Sequence, residues 1–419
     1  MNFVRSGFYA ALGTGARLLA ALVVVKLVAS SAGPEGVGRL GQFMSLMSVL
    51  AVFAGGGISS GVVKYVAEYR EDSVRLSRLL AAALWYALLA SCVIGTGTLL
   101  LSRQIATWLM GDAGYAGLVR VLAVAQLGIA VVNYMLAVIN GFMDVRRLAL
   151  IQVAGSILAM LAALWLSRWL HLYGALLALV LGQSLWLLVA FPACWKSSYF
   201  RRGMLRVRFD REMTGRLAAF STMTLTSALV PPLANIAVRD HLAQRFGWEQ
   251  VGYWQAVSRV SDAYLLFFVT AITIHYLPKL ASTRDKAALL VEFRQAYRTL
   301  LPVVVAIASI VYLLREPITR LLFSADFMAG ANGLYAPQLL GDVFKIASFI
   351  LAYLMLAKSM TRLFIVSEIV FAATYVLLVC AFTMTFGVIG AMYAFATNYA
   401  LYLGFNVVVV RRYLGGLRP

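Results

Sequence analysis

Cations inside apolar runs are the groups of this chain best placed to do chemistry. Arg17 and Lys26 both fall within the run Tyr9–Ala32. A charge at membrane depth costs roughly 2.5–3.5 kcal/mol on insertion scales, and arginine cannot shed its proton in a protein. Such groups persist where they face protein or a water-filled cavity, and an anion meeting them there offsets the cost. For Arg17, near the middle of its run, the two readings are a cavity residue and a structural pairing with an acid. Lys26 follows nine residues later, about 180° around a straight helix. Both therefore face one cavity only if the helix bends, with Gly13 and Gly15 as the place for it. Otherwise Lys26 snorkels to an interface.

Other polar groups fall into stripes. Arg259 and Asp262 are three apart, Gln338, Asp342 and Lys345 span two turns, and Lys64 and Glu68 are four apart. Each set shares one helix face. Gln126, Asn133 and Asn140 recur every seventh residue and read as interhelical hydrogen bonding, at about 0.6 kcal/mol each in membranes. For Asp262, Asp342 and Lys345 that reading and a functional one stay side by side, since ion pairing among them would leave no free charge. Glu368 has no helical neighbour of opposite sign and is a candidate proton carrier. Asp262, Asp342 and Glu368 are thus the candidate coupling or gating carboxylates.

No soluble-enzyme chemistry is encoded alongside. The dipeptide Gly-Lys does not occur, so there is no phosphate-cradling P-loop, and no HExxH is present. Cys92, Cys194 and Cys380 lie far apart in apolar runs, as small core residues do. No catalytic residue, metal site or cofactor is expected, and the chain does not read as an enzyme.

The elements that must hold these groups are membrane helices. Of 419 residues 62% are hydrophobic and 13% charged, about half the charged share of soluble domains. Twelve spans are predicted, at 9–31, 40–66, 79–101, 118–140, 148–168, 172–194, 217–238, 250–277, 299–314, 337–357, 363–382 and 387–410. Gly55-Gly56-Gly57 and Pro231-Pro232 mark weakened or bent helices, close packing being the plainer reading for the glycines. The first span is too long for a signal sequence and is expected to be retained.

The net charge of +19 could suggest nucleic acid, but its distribution argues against that partner. Alternate loops, beginning with the N-terminus, hold 23 of the 36 Lys and Arg; the opposite loops hold seven, Arg39, Arg103, Arg168, Arg239, Arg245, Arg315 and Arg320. That asymmetry predicts both termini in the cytoplasm.

The basic stretch 196–216 divides the spans six and six. Glu35-x-Val37-Gly38 recurs as Glu249-x-Val251-Gly252, Arg70-Glu71 as Arg284-Asp285, Gly117-Leu118 as Gly333-Leu334, and Arg146 as Arg362. Segments 102–117 and 315–336 correspond too, Ile105 and Leu109 matching Ile318 and Leu322, and both read as amphipathic turns along an interface. The expectation is an all-α polytopic protein: bundles at 1–195 and 217–419, joined by the cytoplasmic linker 196–216 and related by a parallel pseudo-two-fold.

Gly33-Pro34-Glu35-Gly36-Val37-Gly38, GGGISSGVVKYVAEY at 55–69, VGYWQAVSRVSDAYL at 251–265 and QLLGDVFKI at 338–346 resemble the Wzx-type lipid-linked oligosaccharide flippases. These form the polysaccharide transporter family of the multidrug/oligosaccharidyl-lipid/polysaccharide exporter superfamily, and the branch serving enterobacterial common antigen is the most similar. The resemblance covers essentially the whole chain. It implies two six-helix bundles in alternating access, in a bacterial inner membrane. It implies as substrate an undecaprenyl-pyrophosphate-linked oligosaccharide, built on the cytoplasmic face and needed on the periplasmic one. Polysaccharide polymerase and chain-length proteins are then candidate partners. A cationic cavity for the headgroup is implied at Arg17, Lys26, Lys64 and Lys345; Arg259 lies in a matching block without being part of its recognised pattern.

The alternatives are an O-antigen repeat-unit flippase, a cation-coupled multidrug antiporter, a saccharide-joining membrane enzyme and a lipid II flippase. The antiporter would want a net acidic pocket. The enzyme would want a large outer loop, and a lipid II flippase normally has two further helices.

Overall fold

In the computed structural model, which describes residues 3–55, 57–197, 209–283 and 285–416, the described chain is helix joined by short turns, without a strand. Helix α1, Phe3–Ala54, takes in the first expected span and much of the second. It is broken at Gly33, with φ 60° and ψ −159°, a conformation glycine reaches without a Cβ clash. Pro34 follows at the first position of the next stretch, where its missing N–H is not needed and its φ is preset. A Gly-Pro corner thus replaces the loop predicted at 32–39.

The predicted span 40–66 is interrupted rather than continuous. Helix α1 ends at Ala54 and α2, Ser59–Tyr69, begins anew, with Gly57 at φ +65° between them. Gly56 lies outside the described residues. Successive glycines each cost about 1 kcal/mol of helix propensity, which explains why the helix stops here.

Helices α3 (Ser73–Leu100), α4 (Ser102–Met110), α5 (Ala116–Gly141), α6 (Val145–Leu185) and α7 (Leu187–Trp195) follow. Helix α6 is broken at His171, φ 47° and ψ −127°, between two predicted spans. Then come α8 (Arg211–Phe246), α9 (Trp248–Ala271), a π-type turn at Ile272–Tyr276, and α10 (Leu277–Ser282). The chain closes with α11 (Lys286–Leu313), α12 (Arg315–Leu322), α13 (Met328–Ala331), α14 (Tyr335–Ala357), α15 (Thr361–Phe386) and α16 (Ile389–Gly415).

Eight helical stretches among the described residues are long and apolar enough to cross a membrane; two of them, Ala11–Ala54 and Val145–Trp195, contain the breaks at Gly33 and His171. This is a multi-pass membrane protein. Segments 102–117 and 315–336 do begin with short helices, α4 and α12, each inserted before a central long helix, α5 or α14.

The chain forms two compact units: Met1–Ala32 with Arg39–Ile236, and Gly33–Gly38 with Ala237–Pro419. In the first, α5 packs against α2, α3, α6 and α7, burying Val62, Leu79, Leu80, Val138 and Ile139 together. In the second, α14 packs against α9, α11 and α16, with Leu265, Ile346, Ile350 and Leu354 at the core. The corner Gly33–Gly38 lies on the start of α9. A Cβ on Gly38 would come within 2.8 Å of the Trp248 carbonyl oxygen and 3.1 Å of the Gly252 nitrogen, and one on Gly252 would fall onto the Pro34 carbonyl. The two glycines matched in the internal repeat therefore serve one close contact.

Four helices begin on an aspartate that accepts backbone N–H bonds. Asp72 caps α3, Asp144 caps α6, Asp210 caps α8 and Asp285 caps α11. Each is followed within three residues by Arg or Lys. Cations at a helix N-terminus oppose the helix dipole, so these residues are better explained by topology than by helix stability, and the aspartates offset them. Asp285→Ala removes the bond to the Ala288 N–H, 2.8 Å long, and is expected to lower stability by about 1 kcal/mol. Thermal unfolding of the detergent-solubilised protein checks this.

Residues 198–208, most of the basic linker, lie outside the described residues, as do Arg284, Arg418 and the side chain of Arg5. Where the chain resumes, it is held to α3. Asp210 Oδ2 accepts from Arg78 Nε at 2.7 Å, Glu212 meets Arg78 at 3.4 Å and Arg216 at 3.1 Å, and Arg216 donates to the Tyr69 hydroxyl at 2.6 Å. The Arg78 guanidinium, then the Met213 and Glu212 N–H groups, hold the Asp210 carboxyl below its ordinary pKa. A carboxyl depressed in the folded state contributes stability above its unfolded pKa, near 4, and that stability is lost as pH falls through the folded value. Wild type is expected to lose thermal stability more steeply than Asp210→Asn as pH drops below about 4; melting curves across that range test it.

Candidate functional site

The sequence-predicted residues fall in both units. In the first, Arg17 is exposed on α1 and makes no hydrogen bond or ion pair among the described residues. Lys26 is half-buried. The helix keeps α-helical dihedrals at Gly13 and Gly15, its only break being Gly33. Gly13 instead gives room to Gln152 of α6. Nine regular helical residues thus separate Arg17 and Lys26 by about half a turn, and no break brings them to one face. Lys64 is exposed on α2, with its Nζ 5.1 Å from the Tyr65 ring centre.

The second unit gathers more of them. Asp342 of α14 is fully buried; its carboxylate accepts from the Tyr264 hydroxyl at 2.5 Å and from Gln338 Nε2 at 3.0 Å. Lys345, one turn further, has its Nζ 5.7 Å and 5.5 Å from the Phe395 and Tyr399 ring centres on α16. These are cation–π distances. Lys345 also lies within electrostatic range of Asp262 and Asp342. The stripes on α9 and α14 therefore belong to one cluster. Glu368 stands apart on α15, near Tyr402 of α16.

One cation of this cluster was not legible. The charge distribution assigns Arg239 to an outer loop, but α8 continues to Phe246 and Arg239 is inside it, only 4% exposed. Its Nε donates to Gln255 Oε1 at 2.7 Å, and its guanidinium lies 5.4 Å from the Trp254 ring centre. Arg259, Asp262 and Tyr375 are within its electrostatic range. The hydropathy pattern ends the span at 238 because Arg239-Asp240 closes the apolar run. The readable signal was the continued helical pattern up to Gly247, a helix stop with φ +85°.

Arg39, also assigned to an outer loop, is likewise helical and donates to the Tyr115 hydroxyl at 3.0 Å. Cys92, Cys194 and Cys380 are all free thiols.

Arg239 lies within electrostatic range of Arg259 and Asp262, and Lys345 within range of Asp262 and Asp342, so cations and carboxylates are interleaved in this cluster. Charged groups in a low-dielectric setting interact strongly. Trp254, Tyr375, Phe395 and Tyr399 provide flat faces beside the charges.

Known proteins share this architecture. A multidrug-resistance transporter of the MATE family in an inward-facing conformation superposes with a TM-score of 0.79 at 16% identity, over 96% of this chain and 95% of its own. The lipid II flippase MurJ in an inward closed conformation gives 0.75 at 15% identity, over 96% and 87%. These likenesses show that the chain has the fold of these transporters. Sequence similarity goes further: proteins named lipid III flippase from Escherichia coli (strain K12) and Shigella flexneri are each 34% identical over 404 residues, covering 96% of both chains. Residues 32–331 match the family described as polysaccharide biosynthesis protein. Membrane helices throughout, the exporter fold and this end-to-end similarity make the chain a member of that polysaccharide biosynthesis family.

Proposed function

We propose that this protein flips an undecaprenyl-pyrophosphate-linked oligosaccharide, lipid III of enterobacterial common antigen, from the cytoplasmic to the periplasmic leaflet of a bacterial inner membrane. The observation that carries the reading is the similarity, over 96% of both chains, to two proteins named lipid III flippase. The gathering of Arg239, Arg259 and Lys345 in one cluster supports it, because a pyrophosphate leaving water needs compensating charge. Hydrogen bonds between ionised partners are about twice as strong as neutral ones. The polyprenyl tail can remain in hydrocarbon while the headgroup crosses.

In this reading twelve spans form two six-helix bundles with both termini cytoplasmic, and the bundles rock in alternating access. Lys64, Arg259 and Lys345 line the headgroup path, joined by either Arg17 or Lys26, which lie on opposite faces of α1. Without a P-loop, the driving force comes from an ion gradient or from consumption of the product outside. Asp262, Asp342 and Glu368 are the coupling candidates. A polysaccharide polymerase and chain-length proteins act after the flipping step.

Depletion of the protein, followed by identification of the undecaprenyl-linked species that accumulates, tests the proposal. A pyrophosphate-linked oligosaccharide of the enterobacterial common antigen type, held on the cytoplasmic leaflet, is the expected result. Accumulation of an O-antigen repeat unit would move the substrate. No accumulation, with altered sensitivity to cationic drugs, would overturn the reading in favour of an antiporter.

A further inference from the structure

Outside the charged cluster, the second unit carries an apolar groove of about 380 Å³ between α11 and α14. Its floor includes the buried Ala308 and Leu339, and exposed Val305, Leu313 and Leu340 form its rims. Ser309 and Tyr312 are its only polar lining residues. At one end stands Arg315, the first residue of α12. Its guanidinium lies 4.4 Å from the ring centre of Tyr312, so the charge sits directly against the groove wall.

Among the described residues, Arg315 donates its hydrogen bonds to uncharged acceptors. Its Nε donates to Asn332 Oδ1 and its Nη1 to the Tyr312 carbonyl, each at 2.8 Å, and neither acceptor is charged. Capping the end of α11 in this way uses two of the five N–H donors a guanidinium carries. No carboxylate lies within 4.0 Å of Arg315 among the described residues. Helix α12 places Arg315, Glu316 and Arg320 beside exposed Leu313, Leu314 and Leu321, the composition of a segment lying at a membrane surface.

We propose that this groove holds an anionic phospholipid, with one acyl chain along Ala308 and Leu339 and its phosphate on Arg315. Charge and shape together favour this occupant. The groove is apolar along its length and cationic at one end, as a lipid is apolar along its tail and charged at its head. The floor and walls offer almost no partners for a peptide backbone, whose polar groups must be satisfied in an apolar setting. A zwitterionic lipid would gain the same tail contacts without the excess of negative charge that Arg315 favours.

The test is native mass spectrometry of the full-length protein released from nanodiscs of equal phosphatidylglycerol and phosphatidylcholine with matched chains. One cation near an anionic lipid surface shifts such a distribution about fivefold, so phosphatidylglycerol adducts should dominate by that order. Arg315→Gln should abolish the preference, Arg315→Lys should keep most of it, and Ser309→Phe with Ala336→Phe should lower retention of both lipids. Equal retention of the two lipids by wild type, or an unchanged preference in Arg315→Gln, would overturn the proposal. So would a polyprenyl phosphate co-purifying in the groove in place of phospholipid.

Discussion

Lys345→Gln is expected to lower flipping by about tenfold to a hundredfold, while Lys345→Arg retains most of it. A hydrogen bond to a charged group is worth about 1.5–3 kcal/mol, and each 1.4 kcal/mol is a factor of ten. Gln is one atom shorter than Lys and keeps a polar donor towards Tyr399 but removes the charge. The loss should therefore appear in transport rather than in folded protein. The check is reconstituted transfer of a pyrophosphate-linked lipid between leaflets, together with the amount and melting temperature of the variant. Unchanged transfer by Lys345→Gln would remove this lysine from the headgroup path. Equal losses in the Gln and Arg variants would mark a packing role, set by the rings of Phe395 and Tyr399.

Gly252→Ala is expected to be as damaging, for a different reason. Its Cβ would land on the Pro34 carbonyl, a backbone atom that cannot turn away as a side chain would. Overpacking of this kind costs about 1–3 kcal/mol, and here it pushes the α1 corner off the start of α9. The expected outcome is a lower melting temperature and weaker complementation of a depleted strain, with Gly252→Leu worse than Gly252→Ala. Gly404, which has open space around it, serves as the control, and Gly404→Ala should be near wild type. Equal behaviour of the variants at 252 and 404 would show that the close contact is unimportant.

How far the fold was legible follows from what hydropathy measures. A window of apolar residues reports local transfer free energy, so α3, α5, α14 and α15 are found nearly whole. It cannot see a helix that continues past a charge, which is why Arg239 reads as a loop residue and proves buried. Nor can it see a turn made by two residues, so the Gly33-Pro34 corner reads as a loop between separate spans. The glycine run at 55–57 was legible as a weakness, though its outcome as a break depends on backbone propensity rather than on apolarity.

The candidate site was legible by type and incomplete by membership. Asp342 and Lys345 stand out because ionisable residues are rare in apolar runs, and their stripe with Gln338 is a matter of helical period. Their aromatic partners Tyr264, Phe395 and Tyr399 come from two other helices, and aromatic residues are common enough in membrane spans to carry no signal alone. Arg17 and Lys26 were equally visible, yet helix geometry places them half a turn apart without a break to bring them together.

By itself the chain determined its solvent, its helical class and its charge asymmetry, because each is a sum of local free energies along the sequence. It also determined that two distant segments share Glu-x-Val-Gly. Only the tertiary structure decided that Gly38 and Gly252, 214 residues apart, lie against each other, and that Arg239 joins Arg259 and Lys345. Such contacts depend on which helices pack together, and no single segment encodes that choice.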